Sequence, residues 1–117
     1  MNISIKRVYD SVADTDGYRV LVDRLWPRGV KKELLGLDEW DKDVAPSSEL
    51  RIWFDHDPAK FDEFRAKYEA ELRNSDAPQA LLKRAGKHDT LTLLYAAKDP
   101  KINHAVILRD YLQKLSS

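Results

Sequence analysis

The sequence predicts an α/β fold, a small and mainly parallel sheet flanked by several short helices in a single layer-packed domain over residues 1–117. Three observations carry this expectation. Tyr18 to Asp23 (YRVLVD) and Thr90 to Ala96 (TLTLLYA) are apolar runs of strand length, and the second is so nearly continuous that both of its faces must be buried, as in the centre of a parallel sheet. Residues 24–89, which separate the two runs, carry helical spacing over a stretch too long for one crossover helix, which suits several short helices in succession. Finally, 117 residues with 43% apolar side chains are enough to bury one core and too few for two domains.

The elements follow in chain order. Ile3, Ile5 and Val8 mark a first short strand, and Asp14-Thr15-Asp16-Gly17 reads as a turn into the strand at Tyr18. Leu37, Trp40 and Val44 repeat at helical spacing behind Asp38, a candidate N-cap; Leu50, Trp53 and Phe54 do so behind Ser47, with Glu49 where a helix N-terminus favours negative charge. Asp57-Pro58 is a helix start, cap followed by proline, and Phe61, Phe64, Tyr68 and Leu72 form one apolar stripe after it. Asp76 and Gln79 have capping-box spacing and open a helix over Ala77 to Ala85 that closes at Gly86. A last helix runs from about Ile102 to Leu115, with Val106, Leu108, Tyr111, Leu112 and Leu115 available to pack on the sheet.

Composition excludes several functions. Twenty basic and twenty acidic residues cancel, so net charge gives no support to a general nucleic-acid or anionic-membrane binder. The absence of cysteine removes disulfides, thiolate metal sites and cysteine nucleophiles, and fits a reducing, cytoplasmic setting. The first residues show no secretory pattern, and the longest apolar run, Leu91 to Ala97, is too short to span a bilayer. The four glycines, Gly17, Gly29, Gly36 and Gly86, form neither GxGxxG nor GxxxxGK[ST], so no nucleotide cofactor is expected, and Ser47-Ser48 reads as a capping pair rather than a nucleophile. His56, His88 and His104 lack the spacing of a metal site, so folding is expected to need no metal.

Segment Asp23 to Gly29 (DRLWPRG) should emerge at the C-terminal end of the second strand, where open parallel sheets bind ligands. The third strand ends at Tyr95 and leads into Lys98, Asp99, Pro100, Lys101, Asn103 and His104 ahead of a helix N-terminus. With the two strands as parallel neighbours, Arg24, Arg28, Tyr95, Asp99 and His104 converge on one anion-suited pocket, which His56 covers or approaches. The candidate catalytic residues are His104, Asp23 and Asp99; the candidate ligand-binding residues are Arg24, Trp26, Arg28, His56, Tyr95 and Asn103; no metal ligands and no cofactor are expected. The alternative is purely structural: an Asp23–Arg24 ion pair, Trp26 plugging the core, Pro27 to Gly29 as a turn, and Asp99-Pro100 as an N-cap.

The strings YRVLVDRLWPRGV, APSSELRIWFDHDP and LTLLYAAKDPKINHAVIL, which together cover nearly the whole chain in order, resemble the YeaO-like branch of the bacterial domain-of-unknown-function family numbered 488. The resemblance implies an α/β fold with a parallel-type sheet and a site formed by Asp23, Arg24, Trp26, Arg28, His56, Asp57, Asn103 and His104. It also implies that Asn103-His104-Ala105 stands where longer members carry Cys-His-Arg, so that a shared thiol mechanism is lost while the histidine remains. Three functions fit these expectations. The first is an enzyme acting on a small anionic or phosphorylated ligand, with Arg24 and Arg28 as a clamp and His104 as general acid or base. The second is a non-catalytic binding or regulatory module that reads a nucleotide or nucleic-acid end with the basic run Arg24 to Lys32 and an exposed Trp26. The third is a protein-interaction domain presenting Trp40, Trp53 and Phe54.

Overall fold

The computed structural model describes residues 1–117. Four strands, β1 (Asn2–Arg7), β2 (Tyr18–Leu21), β3 (Glu39–Trp40) and β4 (Thr90–Tyr95), form one sheet in the order β1-β4-β2-β3. Every neighbouring pair is parallel. The two apolar runs are adjacent as expected, in a register that pairs Tyr18 with Leu91 and Leu21 with Leu94. Gly17 permits this approach: its φ of 65° is left-handed, and a Cβ there would stand 2.3 Å from the Thr90 carbonyl oxygen.

The central strand β4 is buried on both faces. Leu91 and Leu93 join the main core, and Leu94 joins a smaller cluster with Val8, Leu21 and Leu35 on the other face. The main core is roofed by α2 (Ser48–Phe54), α3 (Phe61–Arg73), α4 (Ala77–Ala85) and α5 (His104–Ser116), which contribute Phe54, Phe64, Tyr68, Leu81 and Leu108 among others. The second face carries the short α1 (Lys32–Leu35), a 3₁₀ turn (Asp14–Asp16) whose Asp16 carbonyl accepts from Thr92 Oγ1, and the loops around Trp26, Val30 and Leu37. No helix is long and apolar enough to cross a membrane.

Several expected caps hold. Ser47 Oγ accepts from the Leu50 amide at 3.2 Å, and the Asp57 carboxylate accepts from Ala59 N at 3.0 Å to open a 3₁₀ turn (Pro58–Lys60) that runs into α3. The expected helix behind Asp38 does not form. Asp38 instead accepts from the Arg19 amide and donates its own amide to the Arg19 carbonyl, extending the sheet into β3, and a 3₁₀ turn (Lys42–Val44) follows. Leu37 and Trp40 pack on the small cluster whereas Val44 packs in the main core, so the three apolar residues serve opposite faces of the sheet and share no helical stripe. At α4 the span is as expected but the capping box is not: Asp76 accepts no capping bond, Ser75 Oγ accepts from Ala77 N at 3.1 Å, and Gly86 is right-handed at φ −64°. The last helix begins at His104 rather than near Ile102, because Asn103, not Asp99, is its N-cap.

Candidate functional site

A cavity of about 570 Å³ opens at the C-terminal ends of β2 and β4, between the start of α5 and the end of α2. It lies where open parallel sheets place ligands and falls in the size range of small-molecule sites. Asp23 sets its geometry. One carboxylate oxygen, Oδ2, accepts from the Ala96 amide at 3.0 Å and so ties the two strand ends together where their ladder stops. The other oxygen, Oδ1, is buried and stands 3.0 Å from His104 Nε2, while the well-aligned hydrogen bond of that nitrogen goes to the Val22 carbonyl at 3.1 Å. Both neighbours of Nε2 are acceptors, so Nε2 carries a proton and donates it chiefly to Val22, and Asp23 Oδ1 makes a close contact without a well-aligned donor. His104 Nδ1 has no hydrogen-bond partner within the chain.

Arg24 does not pair with Asp23. Its Nε donates to the Pro46 carbonyl at 2.9 Å and its Nη2 to Ala45 at 3.4 Å, which fixes the guanidinium at the cavity wall and leaves three of its five N–H groups free. Asn103 is 1% exposed and wholly engaged: Oδ1 accepts from Val106 N at 3.1 Å, and Nδ2 donates to the Asp99 carbonyl at 2.7 Å. The Asp99 carboxylate accepts from the Lys101 and Ile102 amides, and these bonds hold it below the usual carboxylate range. Asp99 is therefore a turn-former with its charge on the surface.

Six of the nine candidate residues line the cavity: Asp23, Arg24, His56, Asp99, Asn103 and His104. Trp26, Arg28 and Tyr95 do not. After Leu25 the chain turns onto the second face of the sheet, where Trp26 packs edge-on against Trp40 with centroids 5.3 Å apart and donates Nε1 to the Val30 carbonyl. Arg28 is exposed, its carbonyl accepting from the Tyr9 hydroxyl. The expected Arg24–Arg28 clamp is thus not assembled in this structure. Tyr95 is 2% exposed in the core, and burial pushes its hydroxyl above the ordinary tyrosine value. Asp57, implicated by the resemblance, serves as the cap described above. Of the three aromatics considered for a contact surface, Phe54 is core, and Trp40 and Trp53 are half-buried, Trp53 between the ammonium groups of Lys60 and Lys67.

Sequence reasoning missed Arg51 and placed Lys98 in the segment after the third strand without counting it among the ligand-binding candidates, yet both line the cavity. Neither they nor Arg24 belongs to any of the chain's ion pairs. The signal for Arg51 was the reversal directly after α2: it precedes Phe54 by three residues, so the last turn of α2 faces whatever His56 faces. That reversal is strained, since Asp55 and His56 are the only non-glycine residues with positive φ, at 48° and 56°. Replacing His56 by glycine should give a protein about 1 kcal/mol more stable than the His56→Ala variant, because only a Cβ is penalised in the left-handed region. Urea unfolding of the two variants checks this; equal stabilities would show that the turn relaxes out of that conformation.

No three His, Cys, Asp or Glu side chains are grouped as metal ligands, and His88 stacks on Tyr18 with ring centroids 4.9 Å apart.

Residues 2–116 match the family model DUF488-N3i, described as the inactive DUF488-N3 subclade. The chain is 50% identical over 115 residues to the uncharacterized protein YeaO of Escherichia coli, covering 98% of this chain and 100% of that one. It is 42% identical over 110 residues to the uncharacterized proteins Mb3100c of Mycobacterium bovis and Rv3073c of Mycobacterium tuberculosis, covering 94% of this chain and 92% of each relative. No solved structure matches. With the model match running from end to end and half of the residues shared with a full-length relative, this chain belongs to the DUF488-N3i family.

Proposed function

We propose that this domain binds a small organic anion in the cavity at the ends of β2 and β4 and does not transform it. The observation that carries this is the set of cations left without a carboxylate: Arg24, Arg51 and Lys98 border the cavity, while its two acids have partners of their own, Asp23 Oδ2 the Ala96 amide, with Oδ1 in contact with His104, and Asp99 its own turn. An arginine with free N–H groups at a partly dehydrated wall suits a carboxylate or a phosphoryl oxygen pair. The reading of no turnover rests on the lining, which contains no hydroxyl or thiol nucleophile and whose two carboxylates already accept from the Ala96 amide and from the Lys101 and Ile102 amides. Asn103, at the helix start, caps α5 with Oδ1 and ties Nδ2 to the Asp99 carbonyl. The description of the matching family as inactive supports the same conclusion.

One observation favours a catalytic reading instead. The His104–Asp23 contact leaves Nδ1 free, an arrangement from which a histidine could remove a proton. Titration with benzoate and phenyl phosphate distinguishes the two. Arg51→Gln and Lys98→Gln should each weaken binding about tenfold with little change in thermal midpoint, since both side chains are exposed and unpaired. Phenyl phosphate should be recovered intact after prolonged incubation. Release of phenol that disappears in His104→Gln would establish the catalytic reading, and affinity unchanged in both cation variants would remove the anion site.

A further inference from the structure

We infer that the ligand of this cavity is an organic anion bound body-first, with a flat or branched hydrocarbon inside and its single charged end at the mouth, an aryl or alkyl carboxylate or phosphomonoester rather than a bare inorganic ion. The inference rests on the anion-binding reading above and adds the class and orientation of the ligand.

The apolar residues and the cations of the lining divide by depth, beside a polar wall of Asp23, Asn103 and His104. Phe54 and Phe64, at 5% and 1% exposure, stack face to face with centroids 4.0 Å apart and form part of the inner wall. Buried Pro46 and half-buried Ile102 extend this apolar surface. Arg51, Lys98, His56, Leu25 and Asp99 are exposed and stand at the rim, where the two cations outnumber the one acid. Half-buried Arg24 lies between, its free N–H groups within the cavity wall. A bare ion drawn inward would exchange water for phenyl rings and the Asp23 carboxylate, and lose hydration that the few donors there do not replace. An amphipathic anion meets the opposite situation: its body removes apolar wall from water, and its charge stays near Arg51, Lys98 and Arg24, where solvent remains at hand. The volume of about 570 Å³ is also far larger than an inorganic oxyanion needs and fits a ring with substituents.

Leu25 connects the two zones. At 59% exposure it is among the most exposed large apolar residues of the chain, yet it lines the cavity directly beside Arg24. A hydrocarbon body in the cavity would cover it, and because its side chain is largely in solvent it can be changed without disturbing the core.

The full chain is titrated with phenyl phosphate, benzoate, inorganic phosphate and benzyl alcohol, following heat of binding and backbone amide NMR shifts. Phenyl phosphate and benzoate are expected to bind at least about tenfold more tightly than inorganic phosphate. The shifts should fall on Phe64, Ala97 and Ile102. Leu25→Ser should reduce that advantage while leaving inorganic phosphate binding and thermal stability unchanged. If inorganic phosphate binds as tightly as phenyl phosphate, the body-first inference is wrong and the anion reading survives. If benzyl alcohol matches benzoate, charge is irrelevant and both are wrong. No shift with any of the four probes overturns both as well.

Discussion

Replacing Arg19 by methionine is expected to destabilise the domain by about 3–5 kcal/mol, a large share of the usual margin of a domain this size. Arg19 is 3% exposed at the start of β2, and all three of its guanidinium nitrogens donate: Nη1 to Asp16 at 2.5 Å, Nη2 to the Leu35 carbonyl at 2.7 Å and Nε to the Gly36 carbonyl at 2.9 Å. It therefore holds the loop carrying α1 against the sheet as well as neutralising a buried acid. Methionine fills the same volume but leaves two carbonyls without donors and Asp16 with only Lys6 and the Ala13 amide. Urea unfolding at neutral pH measures the loss; a cost under about 1 kcal/mol would mean that water replaces the guanidinium.

The same substitution has a signature in acid. Burial pushes the Asp16 carboxyl up, but the Ala13 amide, Lys6 and Arg19 together outweigh it and hold it below its ordinary value of 3.8. A depressed folded value means that the stabilisation is fully present above the unfolded carboxylate range and is lost as pH falls through the folded value. The gap between the wild-type protein and Arg19→Met should accordingly be widest near neutrality and narrow below pH 3.8. A gap that stays constant into acid would show that the lost carbonyl bonds, not the ion pair, dominate.

Phe64→Ala is the second large effect, expected to cost about 3–5 kcal/mol. Phe64 is stacked between Phe54 and Tyr68, with ring centroids 4.0 and 5.9 Å away, and the Tyr68 hydroxyl behind it donates to the Val44 carbonyl from full burial. Unlike a truncation elsewhere in the core, this one removes a cavity wall, so the new space joins the existing site instead of forming a closed void. The variant should thus be rescued more strongly than the wild-type protein by benzyl alcohol in thermal unfolding, because an apolar ligand can fill the enlarged space and stabilises by mass action. Equal responses would indicate that neighbouring helices collapse into the gap.

Residue pattern alone was enough to determine the class of the fold and the neighbourhood of the site. Thr90 to Ala96 has the length and continuous apolar character of a strand buried on both faces, Tyr18 to Asp23 suits its parallel partner, and two parallel strands bring their C-terminal ends to the same edge, which is why Asp23, Arg24, Asp99, Asn103 and His104 could be grouped from the sequence. The α3 stripe was legible because Phe64, Tyr68 and Leu72 all face one core.

What the pattern could not determine was any feature that depends on which face of the sheet a residue meets. Leu37, Trp40 and Val44 have helical spacing, but the sheet has two apolar faces and they divide between them, so a strand forms where a helix was expected. Trp26 and Arg28 sit beside Arg24 in sequence and leave the site because the chain crosses to the second face after Leu25; Arg51 and Lys98 enter it because α2 and the β4–α5 loop converge from distant parts of the chain. Asn103 looked like a ligand-binding group and is a helix cap, since which acceptor satisfies the exposed amides of α5 depends on where its first turn docks. Periodicity reports which side of an element is apolar; only packing decides which surface it finds, and for a cavity bounded by five separate segments of chain that decision determines its charge and shape.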